Sequence, residues 1–348
     1  MRKVIDSHMH LDEWGSEDFI PFFDEYLARE EIHAVNICAI PIAQSNVCNN
    51  IMTCFYKLAH PGTYAHGGIE LIKIPIDNMP AEMDALTQYH ELMEIGFDGI
   101  KMLEGKPTEH KRIGKSLNHP SLNKLYAELE RDGTHLLMHI NDPDEFWHEE
   151  TAPQWAVDNG WAYLDGSFSS YEEIQRQAIK ILEDHPKIKI TFAHFFFCGK
   201  TPELLEELFA KYPNLCVDLT PGGEMYEAFA GNYEYYKDFF NKYSKRLVFG
   251  TDRCFPEEQS YANWCYDIVT SFIGTSEAKK GYGDKELVGL GLSEEKQDDI
   301  FFANFERRVG KEPKPINKEK LKAYIEKYSF ALTEQDMEKI KPLMEKYL

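Results

Sequence analysis

Eight short runs of β-branched, aliphatic and aromatic residues recur along the chain, and a stretch of helical periodicity follows each one. The runs are Val4–His8, His33–Ala39, Tyr64–Ile69, Gly99–Leu103, His135–Ile140, Ile188–His194, Leu215–Leu219 and Arg246–Gly250. Amphipathic stretches between them include Ala81–Ile95, Leu122–Arg131, Tyr171–Glu183 and Pro202–Lys211. A strand followed by a helix returns to a parallel neighbour through a right-handed crossover. Eight such units is the number that closes a barrel. The expected fold is therefore α/β, a (β/α)8 TIM barrel over residues 1–310. Residues 311–348 open with Pro313 and Pro315 and continue as two short helical patterns. They are expected to form a helical extension packed on the barrel. Residues 272–293 are rich in glycine and read as a surface excursion.

Charge and cysteine content narrow the function. The 348 residues carry a formal net charge of −21. The C-terminal extension is +2, so the barrel region holds −23. Such a surface repels a phosphate backbone and an anionic membrane, so neither nucleic acid nor membrane is an expected partner. The seven cysteines are irregularly spaced with no C-x-x-C, which suits free thiols in a reducing compartment. A strand-like run starts within a few residues of Met1, with no signal-peptide pattern before it, so the expected location is the cytoplasm. No apolar run reaches the ~18 residues of a membrane span.

The chemistry is concentrated at the ends of the hydrophobic runs. Asp6-Ser7-His8-Met9-His10 closes the first. Side chains alternate along a strand, so His8 and His10 point the same way, into the barrel mouth. His139 ends the fifth run, His194 the sixth, and Asp252 follows the eighth. Each of these last three apolar runs thus carries a single ligand-type residue to its tip. Taken singly, each reads better as a hydrogen-bonded histidine or a helix cap than as a ligand. Burying them together without a partner would cost several kcal/mol, and a shared metal ion supplies that partner.

These residues resemble the amidohydrolase superfamily. The phrases Phe97-Asp98-Gly99-Ile100-Lys101, Tyr212-Pro213-Asn214-Leu215-Cys216-Val217-Asp218 and Arg246-Leu247-Val248-Phe249-Gly250-Thr251-Asp252 are similar to its amidohydrolase-related branch. That branch includes hydrolases, lactonases, hydratases and decarboxylases such as aminocarboxymuconate-semialdehyde decarboxylase. The resemblance covers residues 3–310. It implies one divalent metal, zinc foremost with manganese or iron(II) as alternatives, held by His8, His10, His139 and Asp252. It implies that His194 and Asp252 are catalytic and move protons, with a metal-activated hydroxide as nucleophile. Lys101 stands where some relatives carry a carboxylated lysine bridging two metals. A single metal, with Lys101 as an ammonium that binds an anionic substrate, is the preferred reading.

The expected activity is hydrolysis of a C–N or C–O bond in a small polar molecule. The alternative is a metal-dependent decarboxylase or hydratase acting on a carboxylated, flat acid. The third reading is a barrel that binds metal without catalysis. Trp14 and the Trp-rich segment 141–170, with Trp147 and Asn141, lie in loops above the expected mouth and are candidate substrate contacts; a small satellite core is the competing reading for that segment. Asp6 reads as a support behind the histidines or as part of the barrel floor. His66 and His135 read as core. Arg253 should point away from the ligands by alternation, and Glu104, Lys106 and Asp142 lie just past strand tips. A homodimer is expected only by analogy with other barrels. No G-x-S-x-G, phosphate-binding loop or dinucleotide fingerprint is present.

Overall fold

The computed structural model describes residues 3–11, 19–28, 32–41, 45–255, 259–281 and 286–348. Nine parallel strands form one sheet: β1 (Val4–Leu11), β2 (Ile32–Cys38), β3 (Tyr64–Gly68), β4 (Gly99–Gly105), β5 (His135–Ile140), β6 (Ile190–Phe192), β7 (Leu215–Asp218), β8 (Leu247–Val248) and β9 (Arg253–Phe255). All eight expected strands are present. The sheet runs in chain order from β1 to β8, and β9 joins the far side of β1. β8 and β9 are therefore the two halves of one broken strand. Its lower half pairs with β7, its upper half pairs with β1, and the sheet closes into a barrel. The Ser7 amide donates to Phe249 O at 3.2 Å and the Asp252 amide to His8 O at 2.8 Å, which seals the seam.

The break was not expected, because Arg246–Gly250 reads as one continuous run. It falls at Gly250, where a Cβ would stand 2.8 Å from Thr220 Cγ2 and 3.0 Å from His8 Cβ. The interrupted strand still needs partners for its backbone. One comes from a turn of π-helix, Asp299–Ala303, whose Ile300 carbonyl accepts from the Phe249 amide at 3.0 Å. A π-turn leaves carbonyls outside the regular helical ladder, and here one of them completes the barrel wall.

Helices cover the outside of the barrel, among them Asn46–Ala59, Ala85–Ile95, Pro120–Asp132, Tyr171–Asp184 and Pro202–Lys211. Their buried apolar faces join the strand residues in one continuous core. Two features lie outside this frame. Phe146, Ala156 and Tyr163, with Trp147, Trp161 and Phe168 against them, form a satellite core within segment 141–170. The extension contributes helices Lys318–Lys327 and Glu334–Tyr347, whose Leu321, Ile325, Ile340 and Leu343 are buried in the main core. Within the glycine-rich excursion, Ala278–Lys280 pairs antiparallel with Glu286–Val288. Among the described residues no helix is long and apolar enough to cross a membrane.

Candidate active site

The polar strand tips meet at the C-terminal end of the barrel. His8 and His10 come from β1, where the pairing register with β2 slips between Asp6 and Met9. Their Nε2 atoms stand 3.1 Å apart. Asp252 Oδ1 lies 3.3 Å from His8 Nε2 and 3.1 Å from His10 Nε2. The potential ligand atoms of these three residues lie within 4.8 Å of one another. His8 and His10 are buried, while about 33% of the Asp252 side chain is exposed at the mouth.

Backbone geometry aims these groups. Asn141, His194 and Asp252, which follow the ends of β5, β6 and β8, all have left-handed backbones, with φ of 66°, 53° and 56°. Non-glycine residues seldom hold this conformation, and such strain gathers at functional sites. From His194 it continues through Phe195, Phe196 and Phe197, a left-handed turn of four side-chain-bearing residues. Each costs roughly 1–2 kcal/mol, so packing must impose it. Phe195 and Phe196 are fully buried. The strand expected to reach His194 accordingly stops at Phe192.

The hydrogen bonds fix which nitrogens face the cluster. The Cys38 carbonyl can only accept, and it lies 2.7 Å from His10 Nδ1. The Asp218 carboxylate lies 2.9 Å from His8 Nδ1. Burial works against the Asp218 carboxylate, but His8, His194 and Thr220 hold it ionised, at a pKa of about 2. Both rings therefore donate from Nδ1, and in the neutral rings both Nε2 atoms carry lone pairs. Burial first, and the Lys101 ammonium second, push His8 down to about 3, so its ring is neutral at ordinary pH. Lys101 Nζ reaches the His8 lone pair alone, and the His10 lone pair and the Asp252 oxygen, 3.1 Å apart, still repel unless a cation lies between them. That donor set fits a divalent zinc, manganese or iron ion.

The remaining expected residues fall into three groups. Lys101, from β4, reaches the cluster: its Nζ is 2.8 Å from His8 Nε2 and it is buried. His194 stands beside it, with Nε2 3.7 Å from Asp252 Oδ2. His139 is not in the three-residue group. Its Nε2 donates to Asn141 O at 2.7 Å and lies 3.4 Å from Asp142, and its ring packs edge-on to His194 with centroids 4.8 Å apart. Only Nδ1 keeps a lone pair, so His139 differs from His8 and His10 in the nitrogen it can offer.

The loop candidates lie apart from the cluster. The Asn141 side chain donates to Tyr171 O at 3.0 Å, and its carbonyl orients His139. Trp147 packs on Tyr163 and its indole donates to Ser169 O at 3.1 Å, so the structure seats it in the satellite core. Asp142 anchors that core, accepting from Lys106 and Tyr163. Trp14 lies outside the described residues. Asp6 supports the seam: it accepts from Thr251 N at 3.1 Å, Thr251 Oγ1 at 2.6 Å and Tyr26 OH at 2.8 Å. His66 and His135 hydrogen-bond each other at 2.8 Å inside the barrel, as core residues. The Arg253 guanidinium lies over the Tyr26 ring at 4.8 Å. Sequence reasoning did not single out Asp218 and Thr220. Asp218 had the same signal as the others, a polar residue ending the apolar run Leu215–Cys216–Val217.

A family model described as Amidohydrolase matches residues 73–307. Among curated proteins no sequence match is found. Solved structures share the fold. An uncharacterized TIM-barrel protein from Bordetella bronchiseptica superposes with a TM-score of 0.52 at 17% identity, covering 89% of this chain and all of its own. A dihydroxybenzoic acid decarboxylase from a Polaromonas species, solved with manganese and the inhibitor 2-nitroresorcinol, gives 0.52 at 12%, covering 89% of this chain and 97% of its own. A probable 2-pyrone-4,6-dicarboxylic acid hydrolase from Acinetobacter baumannii, solved with citric acid, gives 0.51 at 11%, covering 89% and 100%.

Proposed function

The chain belongs to the amidohydrolase family, and we propose that it is a metal-dependent hydrolase cleaving a C–N or C–O bond in a small polar molecule. The observation that carries this reading is the division of labour within Asp252. One oxygen faces the two Nε2 lone pairs, and the other faces His194. A divalent ion held by His8, His10 and Asp252, with His139 Nδ1 as a further ligand, would supply Lewis acidity toward the bond to be broken.

The residues of the chain then handle the protons. Asp252 takes a proton from the attacking water. Asp252 passes that proton to His194 Nε2, 3.7 Å away, which hands it to the departing nitrogen or oxygen. Lys101, buried beside His8, offers an ammonium to an anionic group of the substrate.

A second reading is decarboxylation or hydration of a flat carboxylated acid. It is favoured by the buried Lys101 and by the Phe197 ring, which packs 5.2 Å from His194 and 5.7 Å from His139 and offers an aromatic wall. There the electron pair of the breaking C–C bond would stay on carbon and take a proton that His194 Nε2 has drawn from water, while the carboxylate leaves as carbon dioxide. The test is a panel of amides, lactones and carboxylated aromatic acids incubated with metal-loaded protein. Titration of newly formed acid reads hydrolysis, and trapped carbon dioxide reads the lyase. Turnover of amides or lactones upholds the first reading; carbon dioxide release alone replaces it with the second.

A further inference from the structure

Asp218 ends β7 with no exposed surface, and its two oxygens serve two different imidazoles. Oδ2 accepts from His8 Nδ1 at 2.9 Å. Oδ1 accepts from the His194 amide at 2.8 Å, the Thr220 amide at 3.2 Å and the Thr220 hydroxyl at 2.6 Å. Having given its proton to the carboxylate, the Thr220 hydroxyl can only accept from His194 Nδ1, 3.0 Å away. The amide bond to Asp218 also pins the first residue of the left-handed turn that aims His194. One carboxylate thus reaches a ligand-type histidine directly and a proton-carrying histidine through a threonine.

We propose that Asp218 is a positioning residue that sets the tautomers of His8 and His194 together, so that metal affinity and proton handling depend on one buried carboxylate. The proposal rests on the roles given above to His8 and His194, but its test reads tautomers and zinc affinity rather than turnover. In the wild-type protein labelled with 15N-histidine, long-range 1H–15N spectra should show both rings as Nδ1–H with bare Nε2. Asp218→Asn places an amide donor against His8 Nδ1, which favours the Nε2–H tautomer and removes the lone pair from the cluster. Zinc affinity, read by competition with a chromogenic chelator, should then fall 10- to 100-fold. Thr220→Val should change the His194 signals alone and leave zinc affinity within twofold, and Thr220→Ser should restore them.

An Nε2–H tautomer on either ring of the wild type would overturn the proposal. So would wild-type zinc affinity in Asp218→Asn, or an equal loss in Thr220→Val. If Asp218→Asn does not fold, the wild-type spectra and the Thr220 pair still decide. Wild-type protein that bound no zinc would overturn the functional reading and the affinity half of this proposal, whereas two Nδ1–H tautomers would still uphold the orienting half.

Discussion

The Cys38 carbonyl accepts the Nδ1 proton of His10 at 2.7 Å, and that one bond turns the ring's lone pair toward Asp252. A backbone carbonyl cannot be titrated away, so the His10 tautomer is fixed by the path of β2. Protein purified without added metal or chelator should carry about one zinc, manganese or iron ion per chain by elemental analysis. His10→Ala and Asp252→Asn should each lose it. Chelation should also lower the melting temperature, because an ion at 100 times its Kd stabilises by about 2.7 kcal/mol. Unchanged metal content in both variants would break the assignment of the site.

Lys101 lies 2.8 Å from His8 Nε2, and burial lowers its pKa below the ordinary lysine value. The single-metal reading expects an unmodified amine there. Intact-mass and peptide mass spectrometry should find no added carboxyl group, and the metal count should stay at one. Lys101→Met keeps the length and removes the charge. It should retain the metal and raise KM for anionic substrates by roughly tenfold or more, the cost of about 1.4 kcal/mol in binding. Two ions per chain in the wild type and none in the variant would make Lys101 a bridging ligand instead.

The strands were legible in the sequence because apolar runs with one polar tip leave few alternatives, and the two-residue period put His8 and His10 on one face. What was hidden is backbone conformation imposed by packing. His194-Phe195-Phe196-Phe197 is aromatic and favours extended chain, yet it forms a left-handed turn. Gly250-Thr251-Asp252 reads as the end of a strand, yet it is the break that lets one strand serve two neighbours. Both departures occur where the site is built, and neither leaves a local signal. The tautomers were hidden as well, since they depend on Asp218 and the Cys38 carbonyl, which are distant from His8 and His10 in the chain.

Glu104, on β4, is buried, and its Oε2 has no hydrogen-bond partner among the described residues. Burial raises its pKa from 4.5 to about 8. A carboxyl group whose folded value is raised favours the folded state below its unfolded pKa. That contribution is lost as pH climbs from about 4.5 to about 8. The change is on the order of 5 kcal/mol, from 1.36 kcal/mol per unit. Glu104→Gln, which cannot ionise, should match wild type at pH 4.5 and be more stable at pH 9. Denaturant titrations at the two pH values test this. An equal difference at both would mean that Glu104 does not titrate across that window.

Gly96 has φ of +114°, and a Cβ there would run into the carbonyl oxygen of Pro315 in the C-terminal extension. The neighbouring contacts are specific: the Asn317 amide donates to Ile95 O at 2.7 Å, and the Lys314 amide to Asp98 Oδ1 at 2.7 Å. The other Asp98 oxygen accepts from the Ala65 amide of β3 at 2.8 Å, so the extension is tied through one carboxylate to the barrel wall. Gly114 provides the comparison. Its φ is +62°, and a Cβ there would meet nothing nearer than Lys111 O at 3.9 Å. Gly114→Ala should cost only the left-handed backbone penalty, roughly 1–2 kcal/mol. Gly96→Ala should cost that and the displacement of the extension, about 3 kcal/mol or more, because buried Leu321 and Ile340 lose their seat. Urea unfolding of both variants reads the difference. If the two alanines cost the same, the extension rests on the barrel without stabilising it; a larger loss at Gly96 means that residues 311–348 fold as part of the barrel.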